Sequence, residues 1–345
     1  MAPAGELSAR KAAIVEALVR HYIRTGEPIG SEAIVAATGL GVSSATIRND
    51  LAALEDMGYL TQPHTSAGRI PTDLAYRHYV DALPRRRLRD PERRAIVGFF
   101  DEALADVDEI LRGTTMLLSR LTRYASLALA PNPRESTIVR AELVGLGTST
   151  LLLVVLDTGR VDKRLLELGA EHDDVVERVS ATLADTVRGT TVSGARDAIR
   201  RSIEGAEPDE RAVLTRIEEA LASIAEAAEA EHVILGGAAH IAEEQAFRRG
   251  DTLRDILEAL ERESEILHLL REAAEAPPIR VTIGRESPVT GIWEASVVAA
   301  PYGTARRAIG TIGVVGPTRM DYATAISAVR AVAERLSAAV EALGA

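Results

Sequence analysis

The chain has 345 residues, a formal net charge of −11, a hydrophobic fraction of 46% and no cysteine. Real cores are possible, two or three domains fit the length, and disulfides, thiolate metal sites and cysteine nucleophiles are excluded. The longest strongly apolar run, Leu151–Leu156, is far too short to span a membrane. Glu6, Arg10, Lys11 and Glu16 interrupt the first apolar stretch, so no secretory leader is read there and a soluble cytoplasmic protein is expected.

Residues 1–83 predict three helices followed by a β wing. Ser8 is a plausible N-cap for a helix whose stripe carries Ile14, Leu18 and Ile23, and Gly26 and Pro28 end it. Ser31 can cap a short helix, Glu32–Thr38, before the tight turn Gly39-Leu40-Gly41-Val42. A third helix opens at Ser43 and stops at Gly58, completing a helix-turn-helix pattern. Tyr59–Gln62 and Arg69-Ile70 then read as strands around a loop tip, and a helix runs from Thr72 or Asp73 to Val80.

Pro84 to residue 98 reads as a charged linker, because Pro84 and Pro91 bracket a run of arginines ill suited to packing. Helical patterns follow at Glu92–Val107 and Ile110–Leu127, then strands at Ile138–Leu146, Thr150–Leu156 and Val161–Leu166. Glu171–Glu231 is helical and rich in Ala and Glu. Beyond it come a short strand at His232–Leu235 and an amphipathic helix at Leu253–Ala274. Strands at Arg280–Ile283, Ala295–Ala299 and Ile309–Val315 precede a final helix, Tyr322–Leu343.

The third helix carries the functional signal. Ile47, Leu51 and Leu54 fall on one buried stripe, leaving Ala45, Asn49 and Ala52, flanked by Thr46 and Arg48, on the opposite side. Such a face is small enough to enter a major groove, where Asn pairs with adenine and Arg with guanine. Ser43 and Ser44 at the positive helix end are candidate phosphate ligands. In the wing, His64, Thr65, Ser66 and Arg69 are candidate backbone contacts, with Arg69 read as a minor-groove probe and Gly68 allowing close approach.

Thr46–Glu55 resembles the recognition helix of the HrcA-type heat-inducible transcription repressors, and Gln62–Thr72 is similar to that family's wing. Gly310–Tyr322 resembles its C-terminal signature. Ile283-Gly284-Arg285-Glu286 is similar to its strand motif, with Arg285 where an acidic residue is more usual. The resemblance implies an α+β architecture: an N-terminal winged helix, then a GAF-like α/β domain interrupted by an inserted, mainly helical dimerisation domain. The boundaries expected are 1–83 for the winged helix, 84–98 for the linker, 99–170 and 232–345 for the GAF-like parts, and 171–231 for the insertion. It also implies a homodimer on double-stranded DNA carrying an inverted-repeat (CIRCE-type) operator upstream of chaperone genes, with activity maintained by a GroEL-type chaperonin.

No catalytic, metal or cofactor site is expected. His172-Asp173-Asp174 reads as a helix start with acidic residues at its positive end, and Gly145-Leu146-Gly147 lacks the third glycine of a dinucleotide loop. The alternative function is a ligand-gated regulator whose GAF-like domain binds a small effector. An enzyme would need a deep pocket with convergent ionisable groups.

Overall fold

The computed structural model describes residues 7–63, 68–84, 86–101, 107–131, 136–146, 149–168, 173–227, 233–243, 254, 256, 258, 260, 262–274, 278–304 and 307–344. The chain opens with α1 (Ala9–Thr25), α2 (Ser31–Thr38) and α3 (Ser44–Asp56). Ser8 caps α1 by accepting the Lys11 N–H, and Gly26 ends it in the left-handed conformation. The buried stripe of α1 is Ile14, Val15, Leu18 and Val19, so Ile14 and Leu18 are buried as expected and Ile23 is only partly covered. Strands β1 (Leu60–Thr61) and β2 (Ile70–Pro71) pair antiparallel as the base of the wing, and α4 (Asp73–Asp81) follows.

The stretch expected to be a loose linker is tied down. Ser327 Oγ donates to the Arg86 carbonyl at 3.1 Å, and Arg86 Nη1 donates to Thr324 Oγ1 at 3.0 Å. Leu88 packs against the main core, and α5 (Asp90–Asp101) begins inside the expected linker. Pro91 does not prevent this, because a proline in the first helical turn gives up an N–H that has no intrahelical partner. The charge run misled because Leu88 and the Arg86 backbone suffice to anchor the stretch while its described arginine side chains stay exposed.

Helix α6 (Val107–Thr122) stops earlier than expected, and β3 (Ala125–Leu129) replaces its predicted last turn. Every residue of β3 is buried, Ala128 toward one core and Leu127 and Leu129 toward the other. A strand covered on both faces shows no polar alternation, so periodicity cannot separate it from a buried helix end.

Strands β4 (Ile138–Gly145), β5 (Thr150–Leu156) and β6 (Val161–Leu166) make a separate antiparallel sheet in that order. Helices α7 (Asp173–Val187), α8 (Val192–Gly205) and α9 (Pro208–Ala227) complete the unit. Ile138, Leu152, Val154, Leu156 and Leu166 share one core with Val179, Leu183, Ile199, Ile217 and Ile224. This corrects the expected boundaries: the strands placed in the 99–170 part of the GAF-like domain belong with the helical insertion. The apolar face of this sheet is met by the helices that follow it, so its burial needs no part of the main sheet.

The main sheet takes up the chain again at β7 (Val233–Gly236), followed by α10 (Ala239–Glu243) and α11 (Glu263–Ala274). Strands β8 (Arg280–Ile283), β9 (Ala295–Thr304) and β10 (Arg307–Pro317) lead to the last helix, α12 (Tyr322–Gly344). The strand order is β7-β3-β10-β9-β8, antiparallel throughout. Helices α6 and α12 cover one face and α10 and α11 the other. The winged helix shares the first of these cores: Ile14, Leu54 and Tyr76 belong to the same cluster as Val298, Ile312 and Tyr322. No helix among the described residues is long and apolar enough to cross a membrane.

Candidate nucleic-acid interface

Helix α3 is held on three sides. Ile47, Leu51 and Leu54 are buried as the spacing required, and Ser43 is its N-cap, accepting the Thr46 N–H at 3.2 Å. From α1, Arg10 forks onto Asp50, with Nε 2.7 Å from Oδ2 and Nη2 3.2 Å from Oδ1. Asp50 is only 6% exposed, and this bidentate pair fixes the rotation of α3 about its axis. Sequence reasoning missed it, although Asp50 stands three residues after Ile47 and one before Leu51, squarely on the buried stripe.

That rotation turns Ala45, Arg48, Asn49 and Ala52 to solvent. Arg48 and Asn49 make no hydrogen bond or ion pair among the described residues. The helix therefore presents one unpaired guanidinium and one unpaired amide on a floor of alanines, with no bulky side chain to hold a duplex away. Thr46 is half-buried, its hydroxyl 3.0 Å from that of Ser43.

The two serines differ from what was expected of them. Ser43 spends its hydroxyl on the cap, and Ser44 Oγ lies 3.0 Å from Ser31 Oγ, stitching α3 to α2. Ser31 makes no cap on its own helix, for which Gly30 is the N-cap position. Phosphate binding at this end would thus fall mainly to backbone N–H groups, since both hydroxyls already have partners.

His64, Thr65 and Ser66 lie outside the described residues. Arg69 stands at the wing base, immediately before β2. Its backbone pairs with Ile29 in both directions, N–H to carbonyl at 2.9 and 3.1 Å, and its Nη2 lies 2.8 Å from Glu55 Oε2 on α3. The guanidinium is therefore already matched to a carboxylate at the wing base. Gly68 does permit a close approach, but of the protein to itself, because a β-carbon there would strike the Ile29 carbonyl. Thr72 closes the same corner, its hydroxyl donating to the Gly58 carbonyl at 2.7 Å.

Two family descriptions match the chain: "Winged helix-turn-helix transcription repressor, HrcA DNA-binding" over residues 6–82 and "HrcA protein C terminal domain" over residues 108–326. It is similar to the heat-inducible transcription repressor HrcA of Nocardia farcinica, 42% identical with 94% of each chain covered. It is also similar to that of Nocardioides sp., 41% identical over 95% of this chain and 97% of the relative. Its fold is similar to a crystal structure described as a hypothetical protein at 2.2 Å resolution, with TM-score 0.70, 24% identity, and 98% and 100% of the two chains covered. Matched at both ends and in the same order, this chain belongs to the HrcA family.

Proposed function

We propose that the chain is a heat-inducible, sequence-specific transcription repressor that docks α3 in the major groove of double-stranded DNA. The observation that carries this reading is the exposed, unpaired Arg48–Asn49 pair on a helix whose rotation is locked by Arg10 and Asp50. Specificity requires the reading groups to be free and the scaffold to be fixed, and this helix combines both. No chemistry is needed, and the chain is not an enzyme.

An inverted-repeat operator calls for two such helices related by a twofold axis. The amphipathic pattern of residues 253–274 offers one apolar surface on which to look for such a dimer. In the described part of that region Leu270 and Ile266 are spent in the core under the main sheet. The insertion offers a better surface. Its sheet turns Val144, Leu151 and Leu165 outward in one cross-strand row and Arg140, Val155 and Val161 in another, with Glu142, Leu153 and Lys163 between them and Leu165 60% exposed. The occupant that suits it is the same face of a second copy, because an isologous contact buries both at once and supplies the twofold.

Repression of chaperone genes, and restoration of the competent dimer by a GroEL-type chaperonin, complete the proposal. A chain with long non-local strand pairings, such as β3 with β10, folds slowly and suits such a client role. Footprinting of the genome's own chaperone promoters, with and without chaperonin after a heat step, tests it. Protection of an inverted repeat that returns only with chaperonin is the expected result, and full return without it would remove the chaperonin.

The ligand-gated alternative has clefts in its favour: one of about 220 Å³ between α4 and α12 lined by Arg77, Arg86, Ser327 and Arg330, one of about 490 Å³ beside Arg86 and Arg93, and one of about 700 Å³ among α7, α8 and α9. The first is smaller than the roughly 300–1,000 Å³ of ordinary ligand sites, and the widest lies among the helices of the insertion and not in the GAF-like part. Arg77 is moreover already committed to Glu286. The first reading is therefore kept.

A further inference from the structure

The two C-terminal motifs that resemble the family signature do not gather around a pocket; they meet the winged helix. Glu286 is the hub. Its carboxylate accepts the Ile283 N–H at 2.9 Å and takes both Nε (2.8 Å) and Nη2 of Arg77, which projects from α4. Arg77 Nη2 also donates to the Val281 carbonyl at 2.6 Å. Asp73, in the first turn of α4, accepts the Arg285 N–H at 2.9 Å. Gly284 has φ +51°, and a β-carbon there would lie 2.5 Å from the Asp73 carboxylate, so the approach of α4 to this turn demands glycine.

The second motif completes the contact. Tyr322 is fully buried with its ring 6.0 Å from that of Tyr76 on α4, and its hydroxyl donates to the Thr318 carbonyl at 2.6 Å. The Arg319 guanidinium lies over Gly26, where a β-carbon would come within 3.2 Å of it. Beyond α4, Arg86 is anchored to α12 through Thr324 and Ser327. Charge-assisted pairs, a buried ring contact and a glycine-only approach all converge on one helix, so the recognition helix cannot swing freely relative to the body.

We infer that Arg77, Asp73, Gly284 and Glu286 form a positioning seat that sets the angle of the winged helix on the body, and through it the half-site spacing a dimer accepts. This rests on the DNA-binding reading above. One base pair of spacer rotates a half-site by roughly 34° and moves it about 3.4 Å, so a rigid seat converts directly into a preferred spacing. None of these residues lies on the exposed face of α3, so their part is positioning and not reading.

The test compares full-length wild type with Glu286→Gln, which keeps shape and loses the ion pair, and with Gly284→Ala. Binding is measured to a single half-site duplex and to inverted repeats whose spacer varies in one-base-pair steps. Trp293, the single tryptophan of the chain, lies under the Arg285 guanidinium at 5.3 Å and reports the seat by its emission. The expected result is a tenfold or greater spread of affinity across spacers for wild type, shrinking to threefold or less in Glu286→Gln. Half-site affinity should stay within twofold. An unchanged spread in Glu286→Gln despite a shifted Trp293 emission overturns the seat, as does an equal loss on half-site and repeat. If wild type binds no duplex at all, the DNA reading falls first and this inference falls with it.

Discussion

Two exposed surfaces of this molecule are chemical opposites. On α3 the solvent side is Ala45, Arg48, Asn49 and Ala52, with polar groups left unpaired on a small floor. On the sheet of the insertion the solvent side carries Val144, Leu151 and Leu165 in one row and Val155 and Val161 beside Arg140 in another, with Glu142, Leu153 and Lys163 between them. Unpaired hydrogen-bonding groups on a firmly held helix are suited to base edges, whereas an exposed aliphatic row such as Val144, Leu151 and Leu165 is suited to another apolar surface. The contrast teaches that exposure alone says nothing; what matters is which interactions a surface has left unmade.

Breaking the apolar surface should have the largest effect. Leu165→Asp places a charge at the centre of the proposed isologous contact and should weaken self-association by about 2–5 kcal/mol. Sedimentation should show monomer, and affinity for the inverted repeat should fall to that for a single half-site. A stable dimer in this variant would move the interface elsewhere. Next in size, Arg48→Ala or Asn49→Ala should cost about 1–3 kcal/mol of operator binding and relax base preference at one position per half-site. Equal loss on specific and random duplexes would make these residues phosphate contacts instead.

Arg69→Ala sharpens the comparison between free and committed arginines. Because its guanidinium is matched to Glu55, the salt dependence of binding should stay close to wild type. A true phosphate contact would reduce the slope of log affinity against log salt by about 0.9. A drop of that size would mean that Arg69 leaves Glu55 for DNA. The smallest effect lies inside the insertion. There Arg196 and Arg200 donate to Glu218 Oε1 at 2.7 and 2.6 Å and hold its carboxyl below the usual range. A depressed folded-state pKa stabilises above the unfolded value and loses that contribution as pH falls. Wild type should therefore exceed Glu218→Gln in melting temperature at neutral pH, and the gap should close as pH drops through the ordinary value of 4.5 and below. A gap independent of pH would show that packing, not charge, separates the two.

Much of this was open to reading without coordinates. The buried stripe Ile47, Leu51 and Leu54 places Arg48 and Asn49 outward by periodicity alone, and the free surface agrees. Strand alternation located β4 to β6 to the residue or nearly so, because each has one wet face. The same logic failed at β3, covered on both sides, and at the arginine-rich stretch before α5, where charge hid the packing of Leu88 and the anchoring of Arg86.

Local pattern thus determined the elements that keep one wet face, and which face of α3 is available, since those depend on near neighbours in sequence. Tertiary structure alone decided that Arg10 locks Asp50, that Arg69 is spent on Glu55, that the strands of 138–166 join the insertion, and that Glu286 receives Arg77. Each of these joins groups that are distant in sequence or belong to different elements. Their strength depends on approach and burial, which no one-dimensional spacing encodes.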